Sequence, residues 1–595
     1  VLEIGRGNRT VFFDIFYQRP APLVPRRWRL GVTERINARG EVVAPLDLEQ
    51  TEAAVESLVS QGVQSIAVCF FNSFKNPVHE RQVKELIRSK YPRLDVSLSS
   101  DVLPEIREYE RLSTTVTNSY LKPVIRAYLE NLEASLRDMG AAKHVSLHVM
   151  QSNGGIMTAG MAKERPVQII ESGPVGGAVA AAYLVGEARQ ATGGSQLGDN
   201  IIAFDMGGTT SKANVINGGV MQTTTEYWPA GYMVKIPVVD IVEVGIGGGS
   251  IGWINPEGFL AVGPLSAGAD PGPVCYELGG TDPTITDANA VLGRVEQLVG
   301  GRMRLNTERA LRAIEAKVAI PLRMTPIEAA VGILEIAVAK MADNIRTVTV
   351  ARGIDPRDFI LCAFGGAGPM HAAFIARELN VPLTIIPPAP GTFSGLGFLC
   401  SDFRHDFVQT FLMRSGNPDI ARAREEFAIL EAQGVQALQT ESFSAADINL
   451  FRSLDMRYVG QAHEVNVPIT GDLTENAFAD LAGGFHRRHE EQFGHSAPGE
   501  PVEVVNLRVT AIGRVKRPAI SYKPLTDSQP LIGRRKVYFK EAEGWLDCPV
   551  YLRATLPPGF QLHGPAILEE HTSTVVVPPD FRAEIDACGN VVLQR

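Results

Sequence analysis

Ile201-Ile202-Ala203-Phe204-Asp205-Met206-Gly207-Gly208-Thr209-Thr210 is the stretch on which the fold turns. An apolar strand delivers one carboxylate, Asp205, to a Gly207-Gly208 bend, and two hydroxyls follow. The run from Ser211 to Ile216 then leads to a turn at Asn217-Gly218-Gly219, so the chain returns as a second strand instead of entering a helix. Such a hairpin can grip phosphate. Glycines admit positive φ and let backbone N–H groups approach an anion, Asp205 can hold Mg²⁺ or a water, and Thr209 or Thr210 can donate to an oxygen. Asp205 and Thr209 are therefore the catalytic candidates, Asp205 the metal-ligand candidate, and Gly207, Gly208 and Thr210 the nucleotide-contact candidates. An ordinary hairpin with a glycine-rich turn is the alternative.

A chain of 595 residues is long enough for several domains with large buried cores. Its 45% hydrophobic and 21% charged content is that of a globular protein, and a formal net charge of −9 supplies no basic surface for nucleic acid or anionic lipid. Neither partner is expected. The six cysteines are scattered without a CxxC pair, which fits buried thiols in a reducing cytoplasm better than a disulfide frame or a zinc knuckle. The longest apolar stretch, Val175 to Val185, is rich in Gly and Ala and far shorter than a membrane span; no secretory signal is visible. The chain opens on Val1, inside what reads as a structured segment, so an upstream piece is expected to be missing.

To about Leu46 the sequence is rich in Arg and Pro and reads as an extended segment laid over a surface. Helical patterns at Leu48 to Gln61 and His79 to Lys90 flank the apolar run Ser65 to Phe71, an alternation that argues for α/β layering. Tyr109 to Met139 has helical spacing broken at Pro123, ahead of a strand-like Val145 to Met150. In Glu171-Ser172-Gly173-Pro174-Val175-Gly176-Gly177, small residues open a helix; close packing and an anion at the helix N-terminus explain them equally well. Thr325-Pro326-Ile327-Glu328 has capping-box spacing with Pro at the first helical position, and predicts a long helix with an apolar face through Ile345. The strand-like Phe359 to Phe364 runs into Gly365-Gly366-Ala367-Gly368-Pro369 and a helix from Met370 to Glu378. Strand, glycine bend and helix suggest a ligand edge, with Gly365, Gly366 and Gly368 as contacts. The Pro/Gly cluster from Pro387 to Gly397 is the best domain boundary. Beyond it, Ile420 to Glu441 and Glu475 to Phe493 look helical, Asp455 to Ile469 and Val502 to Val515 extended, and the end of the chain β-rich.

Gly247-Gly248-Gly249-Ser250-Ile251-Gly252 formally matches G-x-G-x-x-G, but Trp253 to Val262 reads as a hairpin around Asn255-Pro256-Glu257-Gly258, so a dinucleotide fold is rejected. A loop touching phosphate or substrate and a structural turn both fit Gly247, Gly248 and Gly249. No Walker A string and no G-x-S-x-G elbow occurs. His486 and His489 with Glu490 and Glu491 could hold a metal, yet Arg487 and Arg488 between them favour a solvated helix face. His144 and His148 would share one face of a strand, where packing is the simpler role. Asp240, Glu243, Asp270, Asp282 and Asp287 stand near glycine-rich loops and could act as bases or Mg²⁺ ligands; a solvated loop is the default for each.

Phe204-Asp205-Met206-Gly207-Gly208-Thr209-Thr210, Gln151-Ser152-Asn153-Gly154-Gly155, Glu171-Ser172-Gly173-Pro174, Gly247-Gly248-Gly249-Ser250, Ser266-Ala267-Gly268-Ala269-Asp270-Pro271-Gly272-Pro273 and Phe364-Gly365-Gly366-Ala367-Gly368-Pro369 together resemble the hydantoinase A / 5-oxoprolinase family. Gly564-Pro565-Ala566-Ile567 with Thr572-Ser573-Thr574 looks like its C-terminal domain. The resemblance implies an α/β fold with an actin-like ATPase core (ASKHA, ribonuclease H-like) and a mixed α+β, β-rich C-terminal domain. It divides the chain into an N-terminal remainder at residues 1–95, the ATPase core at 96–395 and the C-terminal domain at 396–595. On that mapping the Asp205 hairpin is the second phosphate loop and Gly365 to Gly368 the adenosine loop. The family's first phosphate loop, a further Asp-x-Gly-Gly-Thr string near the N-terminus, is absent here.

The implied cofactors are ATP and Mg²⁺. Family members phosphorylate an amide or carbonyl oxygen, giving an activated imidate-like or enol-like species. The implied function is ATP-dependent opening of a cyclic amide (a hydantoin, 5-oxoproline or a lactam), completed by a hydantoinase B-type subunit in a hetero-oligomer. A subunit of an acetone- or acetophenone-type carboxylase, acting on a ketone, is the alternative within the family. A non-catalytic nucleotide-gated interaction module is the alternative outside it.

Overall fold

Ile201–Met206 and Ser211–Asn217 pair antiparallel with Met206 opposite Ser211, and Gly218 and Gly219 turn the chain at φ of 55° and 77°. The computed structural model describes residues 1–6, 13–140, 145–191, 198–526 and 529–595; His144 lies outside them. Contacts divide the chain into two interleaved units. The first holds residues 1–170, 224–238 and 402–515, the second residues 171–223, 239–401 and 516–595. The successive segments at 1–95, 96–395 and 396–595 follow the sequence, whereas these units are assembled from separated stretches. The change of unit after Ser401 comes just beyond the Pro/Gly cluster.

The second unit is built on a nine-stranded sheet. Across it run Ile241–Val244, Ser211–Asn217, Ile201–Met206, Ile360–Phe364, Leu383–Ile386, Val591–Gln594, Arg582–Ile585 and Gln561–His563, with Val220–Met221 paired to Ser211–Asn217. Ile360–Phe364 is parallel to both of its neighbours; the other pairs are antiparallel. The continuous apolar run of the first hairpin strand reflects burial on both faces. Ile202, Phe204 and Met206 pack with residues of the helices Pro326–Val348 and Gly368–Leu379, while Ile201 and Ala203 pack on the other face with Ala178, Ala181 and Leu184 of the helix Ser172–Ala191. The capping box forms as the sequence predicts. Thr325 Oγ1 accepts from the Glu328 N–H, and Glu328 Oε2 accepts from the Thr325 N–H at 2.7 Å.

The small residues after Glu171 are explained by packing. A Cβ on Gly177 would stand 2.3 Å from the Phe364 ring, one on Gly176 2.4 Å from the Phe398 ring, and one on Gly397 1.7 Å from the Gly176 carbonyl oxygen. The helices Ser172–Ala191 and Phe393–Cys400 meet through these glycines. Gly177→Val is accordingly expected to destabilise the protein by about 1–3 kcal/mol through overpacking. Gly186→Ala on the same helix, where a Cβ meets nothing within 4 Å, should be neutral or stabilising. Denaturant titration of the two variants measures the contrast.

In the first unit a six-stranded sheet runs Val465–Ile469, Ile448–Tyr458, Val502–Gly513, Phe403–Arg414, Ile156–Thr158, His148–Met150. Helices Ile420–Thr440 and Glu475–Phe493 bury Phe427, Leu430, Phe478 and Phe485 in one core with its strands. A smaller core joins the parallel pair Ser65–Val68 and Asp95–Leu98 to the helices Leu48–Ser60 and Val78–Lys90. One expectation is corrected. The helix expected to break at Pro123 runs unbroken from Glu108 to Asp138. Proline in a helix interior removes a hydrogen bond and costs about 3 kcal/mol or more. Here Ser113, Thr114, Thr117, Asn118, Lys122 and Leu129 are buried along the helix, and tertiary packing of that face outweighs the local loss.

The tail is β-rich, with Leu531–Phe539, Gly544–Leu552, Ala566–Glu569 and Thr574–Val577 forming a four-stranded sheet. Among the described residues no helix is long and apolar enough to cross a membrane.

Candidate functional site

Three glycine loops of the second unit meet beside the carboxyl end of the strand Ile201–Met206. Asp205 pairs in register with Phe364 on one side and Lys212 on the other, so the Asp205 bend and the Gly365 loop leave neighbouring strands together. The 365–368 loop is tied down at both ends: the Gly365 N–H donates to the Pro390 carbonyl at 2.9 Å, and the Ala367 N–H to the Met206 carbonyl at 3.0 Å. Gly365 has φ of 84°, and a Cβ there would stand 2.4 Å from Asp205 Oδ1 and from the Met206 carbonyl oxygen. Only glycine fits this approach.

Gly247, Gly248 and Gly249 are buried against the 207–210 turn and brace it. The N–H groups of Gly248 and Gly249 donate to the carbonyls of Gly207 and Gly208 at 3.1 and 2.6 Å, and a Cβ on Gly247 would lie 2.5 Å from the Thr209 nitrogen. The Gly247 N–H in turn donates to Ser250 Oγ at 2.9 Å. From Ser250 the chain forms the expected antiparallel hairpin, Ser250–Ile254 with Leu260–Ser266, and no dinucleotide-binding helix.

The turn itself is open. Gly208 and Thr209 are exposed, Gly207 and Thr210 half-buried, and a Cβ on either Gly207 or Gly208 would meet nothing within 4 Å. The Gly207 N–H closes the turn on the Thr210 carbonyl at 3.1 Å; among the described residues the N–H groups of Gly208 and Thr209 take no backbone acceptor. Two unspent donors in a glycine bend suit an anion. Burial lifts the Asp205 carboxyl above its usual pKa, with Lys212 acting weakly in the opposite direction. Lys212 is shared with Glu243 at 3.4 Å. A partly desolvated carboxylate beside an anion cradle fits Mg²⁺, which is commonly held by one or two carboxylates together with substrate phosphates.

Gly366 is exposed, and a Cβ there would lie 3.6 Å from the Thr572 carbonyl oxygen, an ordinary contact. Gly368 is buried and begins the helix Gly368–Leu379. Gly366→Val is expected to fold normally and to weaken ATP binding at least tenfold by blocking approach to the loop. Equilibrium nucleotide titration measures it, and unchanged affinity would reduce the loop to a structural turn.

Other candidates have structural partners. Asp287 accepts from the N–H groups of Val274, Cys275 and Thr284 at 3.2, 2.7 and 2.8 Å and completes a second capping box. Its Thr284-x-x-Asp287 spacing was the available signal. Asp240 pairs with Arg352, and Asp282 with Lys317 at 2.6 Å. His489 is taken up by Gln461 and the His495 carbonyl, and His486 by the Tyr458 hydroxyl at 2.8 Å. His148 packs edge-on against Phe403. Asp270 stays in its loop. Thr286 escaped the sequence reading: its N–H and hydroxyl both donate to the Gly248 carbonyl at 2.8 Å and anchor the bracing loop.

With this geometry in place, comparison with known proteins gives a consistent answer. The Hydantoinase/oxoprolinase family model matches residues 111–407, with the family's N-terminal region at 1–91 and its C-terminal domain at 419–593. The chain belongs to the hydantoinase/oxoprolinase family. It is 41% identical to an uncharacterized protein of Methanocaldococcus jannaschii, covering 100% of this chain and 86% of that one. It is 36% identical to the caprolactamase subunit alpha of Pseudomonas jessenii, over 98% of this chain and 84% of that one. It is 34% identical to the acetophenone carboxylase gamma subunit of Aromatoleum aromaticum, over 97% and 80%. The crystal structure of the ATP-dependent caprolactamase from Pseudomonas jessenii superposes with a TM-score of 0.86, covering 100% of this chain and 86% of that one.

Proposed function

We propose that this chain is the ATP-using subunit of an enzyme that opens a cyclic amide by activating its amide oxygen. The observation that carries the reading is the convergence of the 207–210, 247–249 and 365–368 loops around Asp205. In the core sheet, setting aside the short strand Val220–Met221 that pairs off the main path, Ile241–Val244 lies outermost, followed by Ser211–Asn217, Ile201–Met206, Ile360–Phe364 and Leu383–Ile386, a 3-2-1-4-5 order. This is the ribonuclease H-like order of actin-type ATPases, which supports an ASKHA core. On this reading Asp205 orients Mg²⁺, the free N–H groups of Gly208 and Thr209 and the hydroxyls of Thr209 and Thr210 hold phosphate oxygens, and Gly365, Gly366 and Gly368 face the nucleoside. Bound ATP supplies the phosphoryl group that makes a poor amide electrophile reactive. On this reading the residues of this chain position the nucleotide and its metal, and the hydrolytic step is not expected of them.

A hydantoinase B-type partner is expected to complete the reaction, and the subunit names of two relatives support a hetero-oligomer. The isolated full-length subunit, given ATP, Mg²⁺ and a cyclic amide turned over by the complex, should release no stoichiometric ring-opened product by chromatography. Such a product would put both half-reactions on one polypeptide.

The likeness to a carboxylase subunit favours a second reading, activation of a ketone or its co-substrate for carboxylation. An ATPase screen of the complex against hydantoins, 5-oxoproline, lactams and ketones, with and without bicarbonate, decides among the readings. Amide-stimulated turnover without bicarbonate supports the first, and bicarbonate dependence the second. Turnover indifferent to every compound leaves a nucleotide-gated module.

A further inference from the structure

The Thr572-Ser573-Thr574 string lies at the turn of the C-terminal hairpin that pairs Ala566–Glu569 with Thr574–Val577, and this turn touches two loops of the core sheet. The Thr572 carbonyl faces Gly366. A Cβ on Gly391 would stand 2.7 Å from Thr572 Cβ and 2.8 Å from Thr572 Oγ1, so the Thr572 side chain fills the space that a larger residue at 391 would need. The hairpin turn and both loops belong to the second unit.

The turn is firmly held. Glu570 accepts from the Ser573 hydroxyl at 2.9 Å, from Arg553 at 2.7 Å and from the Ala389 N–H at 3.2 Å. Buried Arg553 donates in addition to the carbonyls of Ile386 and Gly589 at 2.7 and 3.2 Å, which ties the turn to the end of the strand Leu383–Ile386. Thr572 is the exception in this network. Among the described residues its hydroxyl and its carbonyl take no hydrogen-bond partner. It is half-buried, while Gly366, Gly391 and His571 are exposed, so its polar groups border an open surface.

The place of that surface in the sheet says what reaches it. The strands Ile201–Met206, Ile360–Phe364 and Leu383–Ile386 run parallel in that order, so the 207–210, 365–368 and 387–392 loops leave one edge of the sheet side by side. Neighbouring strands stand about 4.8 Å apart, which puts the third strand about 10 Å across the sheet from the first. A nucleotide with its phosphates at the first loop and its sugar at the second carries its base to the third, where Thr572 lies.

We propose that Thr572 contacts the base of the bound nucleotide, its hydroxyl bonding the base edge and its carbonyl accepting from an amino group there. Base edges present both donors and acceptors, and a hydroxyl can meet either. The proposal rests on the nucleotide reading and adds to it the C-terminal hairpin as the wall that recognises the base.

Calorimetric titration of the full-length chain, in Mg²⁺, with ATP and with ribose 5-triphosphate, the same molecule without its base, tests this contact. The wild type should bind ATP more tightly than ribose 5-triphosphate. Thr572→Val, equal in shape, should weaken ATP binding severalfold and leave ribose 5-triphosphate unchanged. Thr572→Ser keeps the hydroxyl and should retain the wild-type affinity for both. Unchanged ATP affinity in Thr572→Val, or an equal loss for the two compounds, would overturn the proposal; Thr572→Ala carries the same criteria should Thr572→Val lose the native melting transition. Weakened ATP binding in Gly366→Val beside wild-type binding in Thr572→Val would remove the base contact alone. No binding of either compound by the wild type would remove the nucleotide reading with it.

Discussion

Asp205→Ala is expected to lower substrate-stimulated ATP turnover by at least about 10²–10³-fold, on the scale of removing one preorganised electrostatic group from a reaction centre. The fold should survive the change. Burial raises the Asp205 pKa, so the native state binds that proton more tightly than the unfolded chain does. The stability linked to this proton is complete below the ordinary carboxylate range and is lost as pH rises through the raised native value. At neutral pH the ionised side chain therefore opposes folding slightly, and its removal is neutral or mildly stabilising. Steady-state ATP hydrolysis and thermal melting of the same preparation separate the two effects. Wild-type turnover in the variant would remove Asp205 from the chemistry.

Glu105→Gln should have the largest effect on stability. Glu105 is fully enclosed; burial disfavours its charge, but Lys235 and Arg508 outweigh burial and hold its pKa down to about 2. Arg508 is itself fixed by Asp455 at 2.6 Å, and Lys235 lies 3.8 Å from Glu464. Removing the central anion leaves buried Lys235 with only the distant Glu464 and Arg508 with only Asp455; breaking a buried pair in this way costs up to about 3–5 kcal/mol. Because the native pKa is depressed, this stabilisation is complete above the ordinary carboxylate value and is lost as pH falls toward about 2. Denaturant midpoints at pH 7 and pH 3 should differ more for the wild type than for Glu105→Gln. Equal differences would mean that the network does not govern acid unfolding.

What could be read from the sequence was local in origin. The 201–219 hairpin, the Thr325 cap and the strand–glycine–helix unit at 360–379 each depend on residues within a few positions of one another, and each forms. Pro123 misled because its cost is local while the packing that offsets it comes from segments far away in sequence. Gly247 to Gly249 could not be assigned, because what crowds them is distant in sequence: the backbone of Gly208 and Thr209 against Gly247, the Thr286 hydroxyl against Gly248, and the Ser266 hydroxyl with the Gly208 carbonyl against Gly249. The Lys235–Glu105–Arg508 network joins three stretches that periodicity cannot connect. Spacing shows which face of an element is apolar; it does not show which distant face will cover it.

The interleaving of the two units sets a timetable for synthesis. The strand Ile156–Thr158 pairs with Phe403, nearly 250 residues later, and Leu383–Ile386 receives its outer neighbour only when Val591–Gln594 arrives, about 200 residues later. At about 5–20 residues per second, the first of these edges waits about 12–50 s for its partner. Until those partners are made, both edges stay open. Expression of this protein should therefore respond to elongation rate and to chaperones that shield strand edges, more than to the stability of the finished molecule.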